Sequence, residues 1–235
     1  RAIAGAVAVL HEASPRSLDA IAALGELARS RLVTAALVSA GIPAAWADPR
    51  ALIVTDEGFT AATPLFDETV AQTEANLRPA LDDGRVIVTG GFVGATRHGI
   101  TTRLGRGGSD YSASLLGAAL GADEIQIWTD VDGMLTADPR VVDSPRLVPY
   151  LSFAEAAELA YFGAKVLHPK SIQPAAARNI PVCILNTFKP HASGTRIADG
   201  AAPEASPVTA LACKQGITVV TITSTGMLVA DGYRR

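Results

Sequence analysis

Cysteine, histidine, tryptophan and methionine are all scarce in this chain, and each scarcity removes a class of protein from consideration. Two cysteines in 235 residues cannot build the disulfide framework of a small secreted domain. Cys183 and Cys213 lie in the apolar contexts Val-Cys-Ile-Leu and Leu-Ala-Cys-Lys, which predict buried, reduced thiols and a cytoplasmic protein. His11, His98, His168 and His191 are scattered, and no Cys-x-x-Cys pair occurs, so a dedicated zinc site is not expected and no protein-held metal is predicted. There is neither a Gly-x-Ser-x-Gly elbow nor a P-loop. The longest apolar runs, such as Ala2 to Leu10 and Leu115 to Leu120, fall short of the roughly 20 residues that span a bilayer. Ala2 to Leu10 also lacks the cleavage site of a signal peptide, so no membrane association is expected. A formal charge of −3 and the absence of a basic run give no general attraction to nucleic acid.

What remains is an aliphatic chain. Hydrophobic residues make up 49% but aromatics only 5%, so the core is built from Ala, Val, Leu and Ile, as suits helices packed on a buried sheet. Short apolar runs alternate with helical patterns. Strands are predicted at Ala51 to Val54, Arg85 to Thr89, Glu124 to Thr129 and Val182 to Asn186. Helices are predicted at Leu18 to Ala40, Asp67 to Leu81, Ser109 to Leu120, Phe153 to Ala164 and Lys170 to Arg178. The alternation is that of an α/β protein with an open, largely parallel sheet between helices. Residues 1–197 form this domain. Residues 198–207, polar and proline-bearing, read as a linker. Residues 208–235 begin a second, smaller unit with strands at Val208 to Cys213 and Ile217 to Thr223 and a helix from Thr225.

The densest chemistry lies in Thr101-Thr-Arg-Leu-Gly-Arg-Gly-Gly-Ser-Asp110, which runs into the Ser109 to Leu120 helix. Glycines let backbone N–H groups face a ligand, and a helix start favours an anion. Arg103 and Arg106 add guanidinium groups able to grip a carboxylate, Ser109 can cap the helix, and Asp110 sits among them. A flexible loop with a helix-start Asp stabilised by the dipole explains the same residues equally well. Thr89-Gly-Gly-Phe-Val-Gly94 also follows a strand, but no helical period follows it, which argues against a dinucleotide-binding turn.

Farther along, Thr129, Asp130 and Asp132 follow a strand, where open parallel sheets hold nucleotides or Mg²⁺, although Asp-Gly and Asp-Pro are also ordinary turn formers. Lys165 in Phe162-Gly-Ala-Lys-Val-Leu-His-Pro169 either reaches a phosphate or lies on a solvated face.

In this order, Gly-Phe-Val-Gly, Thr-Thr-Arg-Leu-Gly-Arg-Gly-Gly-Ser-Asp-Tyr, Trp-Thr-Asp-Val-Asp-Gly, Thr-Ala-Asp-Pro-Arg and Phe-Gly-Ala-Lys-Val-Leu-His-Pro resemble the aspartate kinases of the amino-acid kinase superfamily. The resemblance implies an open eight-stranded sheet and phosphorylation of the β-carboxylate of L-aspartate by ATP with Mg²⁺. It also implies that Arg106 binds the substrate α-carboxylate, that Glu26 of Leu-Gly-Glu-Leu contacts its amino group, and that Ser109 lies against the substrate. Asp110 would arrange the reacting groups. Thr129, Asp130, Leu135, Arg140 and Lys165 match nucleotide-side positions, Leu135 standing where relatives often carry a tyrosine. The tail from Val208 resembles the opening of an ACT regulatory module, with Met227 in the part that binds a feedback amino acid, lysine or threonine. A homo-oligomer is implied. The family's opening Lys-Phe-Gly-Gly-Thr-Ser strand is not found before Glu26, so a longer polypeptide is expected.

Overall fold

The computed structural model describes residues 5, 13–162, 167–200, 208–212, 216 and 218. Lys165, Cys213, Met227 and most of the second predicted unit lie outside them.

Helix α1, Pro15–Ser39, starts three residues earlier than expected because Ser14 caps it, accepting from Ser17 N, and Pro15 supplies a pre-set first turn. Its inward side carries Asp19, Ala23, Leu27 and Ser30. Strand β1, Ala44–Ala47, was not expected, since its four residues show no β-branched signal. A 3₁₀ turn, Pro49–Ala51, capped by Asp48, takes the first residue of the strand predicted at Ala51 to Val54, which is displaced to β2, Val54–Thr55. Helix α2, Phe66–Asp82, leads to β3, Val86–Thr89. Strands β4, Val93–Thr96, and β5, Thr101–Arg103, then form an antiparallel hairpin where a loop had been expected. The absence of a helix after Gly94 agrees with the sequence.

Helix α3, Gly108–Leu120, is followed by β6, Ile125–Thr129, and the short β7, Tyr150–Leu151. Helix α4, Phe153–Phe162, is opened by a reciprocal Ser152/Glu155 cap: Ser152 N donates to Glu155 Oε2 at 2.8 Å and Glu155 N to Ser152 Oγ at 3.2 Å. The helix expected over Lys170 to Arg178 divides into a 3₁₀ turn, Pro169–Ile172, and α5, Gln173–Ala177. Strands β8, Val182–Asn186, and β9, Thr195–Ile197, complete the described elements.

Parallel pairing dominates. β1 pairs with β3, β2 with β4, β6 with β8 and β7 with β9 in parallel, while β4/β5 and β8/β9 are antiparallel. The fold is the expected α/β arrangement. Among the described residues the strands fall into three hydrogen-bonded groups, β1-β3, β2-β4-β5 and β6-β8-β9-β7, in place of one continuous eight-stranded sheet.

One core lies under the four-stranded group, where Ile125, Ile127, Val182, Ile184 and Ile197 pack with Ala118, Ala156 and Ala175 from α3, α4 and α5. A second joins Leu52, Ile53 and Leu77 to Leu104 and Leu115. Burying each large aliphatic side chain contributes about 1.5–3 kcal/mol. Helix α3 belongs to both cores, which explains its composition: Ala113, Leu116 and Leu120 are partly buried, and Leu115, Ala118 and Ala119 are buried more deeply. It is therefore fixed from two sides, and its first turn is a rigid platform. Val208–Ala212, expected as a strand, has no strand assignment. It still docks, with Leu211 N donating to Thr136 O at 2.8 Å and Thr209 Oγ1 to Glu155 Oε1 at 2.8 Å.

Candidate active site

The carboxyl end of β3 runs into Gly90 and Gly91, and two predicted site residues close on this turn from opposite directions. Glu26 reaches from α1 to accept Gly91 N at 2.9 Å. Its side chain is only 9% exposed, and Arg29 one turn on covers it at 2.6 Å from Oε2. A Cβ on Gly90 would stand 3.0 Å from Glu26 Cγ, and one on Gly91 would stand 2.9 Å from Ser109 Oγ and 3.1 Å from Ser109 Cα. The glycines are needed for this close approach. Glu26 and Ser109 are thus brought to the two sides of one backbone turn.

Ser109 itself does not cap α3. The N-cap is Gly107, with φ 69°, and no side chain accepts there. The hydroxyl fastening the region is that of Ser112, which accepts from Phe92 N and donates to Gly108 O, both at 2.9 Å. Ser109 stays exposed at the helix start, its hydroxyl uncommitted among the described residues. Gly105 and Gly107, at φ 78° and 69°, adopt left-handed conformations that other residues rarely take. Gly107 also presses on His168, whose Cβ would lie 2.6 Å from an added Cβ. The glycine loop therefore touches the Leu-His-Pro end of the motif containing Lys165.

The two loop arginines part company here. Arg106 is exposed and has no ion-pair partner among the described residues. Arg103, read from the sequence as a second gripping group, is already engaged: its Nε donates to Asp19 Oδ1 at 2.7 Å. Asp110, in the first turn of α3, is half-buried, and desolvation raises its pKa above the ordinary 3.8.

The second group of candidates gathers at the carboxyl ends of β6 and β8, where Thr129 and Asn186 are register partners. Thr129 Oγ1 donates to Asp130 Oδ1 at 3.2 Å, and Asp130 faces solvent. Asp132 is committed to structure, accepting from Asn186 Nδ2 at 2.6 Å and Lys189 Nζ at 2.8 Å. Those partners, Lys189 first, hold its pKa low. Leu135 is half-buried and bridged to Leu147. Arg140, at the exposed tip of the same turn, lies on Asp138, with Nε 3.0 Å from Oδ1.

Among the described residues no group of three or more His, Cys, Asp or Glu stands together as a metal cage. Mg²⁺ rarely uses one, since phosphates and one or two carboxylates suffice. Cys183, expected to be buried, is partly exposed on the outer side of β8 beside Glu124 and Arg196. No helix among the described residues is long and apolar enough to cross a membrane.

Glycine turns and a helix start lie beside the carboxyl ends of parallel strands, the place where open α/β sheets bind their ligands. The chain belongs to the amino acid kinase family, whose profile matches residues 2–186. It is 40% identical over 221 residues to lysine-sensitive aspartokinase 3 of Escherichia coli K12, covering 94% of this chain and 49% of that relative. It is 41% identical over 229 residues to chloroplastic aspartokinase 3 of Arabidopsis thaliana, covering 97% and 41%. The crystal structure of E. coli aspartokinase III in complex with aspartate and ADP superposes with a TM-score of 0.81 at 40% identity, over 86% of this chain and 44% of that one. The lysine and aspartate complex of that enzyme gives 0.74, over 81% and 42%. The chain thus spans less than half the length of these relatives.

Proposed function

We propose that this chain is the catalytic portion of an aspartate kinase, which transfers the γ-phosphoryl group of MgATP to the β-carboxylate of L-aspartate. The observation that carries the reading is the closure of Glu26 and Ser109 on the Gly90-Gly91 turn, with Arg106, unpaired among the described residues, three positions before Ser109 in the same loop. An α-amino acid needs one anion for its ammonium group and one cation for its α-carboxylate. Glu26 and Arg106 are residues of those two kinds. The likeness to an aspartokinase that binds aspartate and ADP supports the same assignment.

In this reading Arg106 fixes the α-carboxylate and Glu26 the ammonium group, Ser109 and the α3 amides face the acceptor, and Asp110 orients the reacting groups. Thr129, Asp130, Leu135, Arg140 and Lys165 serve the nucleotide. Asp130 and Asp110 are the carboxylates that would hold Mg²⁺ bound with ATP, which would supply neutralisation of phosphate charge. A β-carboxylate oxygen attacks the γ-phosphorus, the bond to the β–γ bridging oxygen breaks, and ADP leaves. The acceptor is already ionised at neutral pH, so the chain supplies position and charge, and no general base is required.

The reading extends to the whole polypeptide: residues 1–197 as catalytic domain, 198–207 as linker, and 208–235 as the start of an ACT module. There Met227 would lie near a site for lysine or threonine in a cytoplasmic homo-oligomer. The lysine complex of the E. coli enzyme supports a feedback ligand of this type.

The test is ADP release by the full-length polypeptide with a panel of acceptors. L-Aspartate is expected to support turnover, and L-glutamate, N-acetylglutamate, carbamate and UMP are not. Turnover with one of those and none with aspartate would assign another kinase of the family. Binding of an amino acid without ADP release from any acceptor would make the protein a sensor.

A further inference from the structure

Asp19 has no part in the site as described, yet among the described residues it is the charged side chain most completely withdrawn from water. It is 0% exposed, and each of its oxygens is used. Oδ2 accepts from Thr60 N at 2.8 Å and from Arg103 N at 3.1 Å, while Oδ1 accepts from Arg103 Nε at 2.7 Å. A buried carboxylate persists only when it is paired and hydrogen-bonded in this way. The donors come from segments 41 and 84 residues away in sequence, so the carboxylate joins three parts of the chain.

Both distant segments bound the glycine loop that carries Arg106. Arg103 ends β5, one buried leucine before Gly105. Thr60 holds a left-handed φ of 73°, costly for a β-branched residue and sustained here by its hydrogen bond to Asp19. The segment around it floors the loop: a Cβ on Gly105 would lie 3.2 Å from Ala61 Cα and 3.4 Å from Thr60 O. Ala62 N closes the arrangement by donating to Arg103 O at 2.8 Å. Asp19 therefore fixes the start of the loop and its floor together, and keeps the Arg103 guanidinium out of the site.

We propose that Asp19 is a positioning residue for the phosphoryl acceptor: through Arg103 and Thr60 it sets the Gly105–Gly107 loop so that Arg106 alone is presented to the substrate carboxylate. The proposal rests on the reading of this loop as the acceptor site. Arg103 is a strut in it, and its side chain does not touch substrate.

The experiment uses the full-length enzyme. Asp19→Asn keeps an oxygen for the two backbone donors but sets an NH₂ group against Arg103 Nε. It is expected to raise the KM for aspartate between about ten- and hundredfold, as sub-ångström to 1 Å misplacement does, with the KM for ATP within about twofold. The double variant Asp19→Asn/Arg103→Met removes the donor–donor conflict while leaving both backbone bonds, and recovers most of the aspartate KM. Arg103→Met alone lowers the melting temperature and moves the aspartate KM little. Equal changes in both KM values for Asp19→Asn, or a lower melting temperature with an unmoved aspartate KM, overturn the proposal. So does an aspartate KM raised by Arg103→Met as far as by Arg106→Ala. If the wild-type enzyme releases no ADP with aspartate, the substrate reading has failed separately. Positioning is then read from amide exchange, which Asp19→Asn accelerates at residues 103–107 and not in α5; uniform exchange rules it out.

Discussion

Asp19 and Glu26 stand seven residues apart on α1, two turns along one side of the helix, and each closes on the backbone of a different glycine-bearing segment. Seven residues advance the helix by roughly 10 Å and return it to nearly the same direction. Asp19 takes the amide of Arg103 and Glu26 the amide of Gly91. Helix α1 thus holds the β3–β4 turn and the loop before α3 at a fixed separation, although neither follows it closely in sequence.

The two carboxylates differ in what else they can do, and Glu26→Gln separates those roles. A glutamine oxygen still accepts from Gly91 N, so the turn keeps its anchor. The Arg29 pair that is lost is 71% exposed on the arginine side and contributes little to stability. The expected result is a melting temperature near that of the parent and a KM for aspartate about 10- to 100-fold higher, the scale of one charged hydrogen bond. Steady-state kinetics in both substrates check this. A KM for ATP that rises in step would remove Glu26 from the acceptor site.

Arg106→Ala makes the companion prediction for the other end of the acceptor. Its side chain is exposed and unpaired among the described residues, so truncation costs the fold little. The aspartate KM is expected to rise about 10- to 100-fold with the ATP KM unchanged. An unchanged aspartate KM alongside weaker ATP binding would move Arg106 to the nucleotide.

The long periodic segments were legible in the sequence because their physics is local. The helices expected from Leu18 and from Phe153 and the strand expected over Val182 to Asn186 all appear, although the caps that set the first residues of the two helices, Ser14-Pro15 and Ser152/Glu155, are local signals that went unread. The rest of what escaped notice depends on partners distant in sequence. Ala44–Ala47 is a strand because it lines up with Val86–Thr89, and Thr101–Arg103 because it folds back on Val93–Ala95. Arg103 and Arg106 look equivalent as letters, and only the burial of Asp19 distinguishes them. One signal was available: Asp19, Ala23, Leu27 and Ser30 share a helical face, and an acid on an otherwise apolar or small-residue face needs a buried partner.

Asp110→Asn separates stability from function. Desolvation raises the Asp110 pKa above its ordinary 3.8, so its protonated form suits the fold better than its charged form. The associated stability is fully present below the unfolded pKa and is lost as pH rises through the folded one. A charged Asp110 is therefore a cost to the fold, one that its role in the proposed site would offset. The asparagine variant is expected to melt higher than the parent at pH 7, with the gain shrinking toward pH 4. Its kcat should fall by about 10²-fold or more, as on removing a group that acts on developing charge. Thermal melts across that pH range, paired with turnover, give both readings, and a variant less stable at pH 7 would contradict the desolvation argument.

Glu155 presents the opposite sign and reports on the Val208–Ala212 segment. The backbone amide of Ser152, followed by the Thr209 hydroxyl, holds its pKa below the ordinary 4.5. The stability this supplies is present above the unfolded pKa and is lost as pH falls through the folded one. Glu155→Gln keeps the side-chain length but removes the charge at the start of α4. It is expected to cost about 1 kcal/mol at pH 7, the scale of a helix cap, and progressively less below pH 4. Because Thr209 Oγ1 donates to the same carboxylate, the variant should also loosen Val208–Ala212, and the Leu211 amide held on Thr136 O should exchange faster. Amide exchange at Leu211 that stays at the parent rate while α4 frays would show that this segment is held at Thr136 alone.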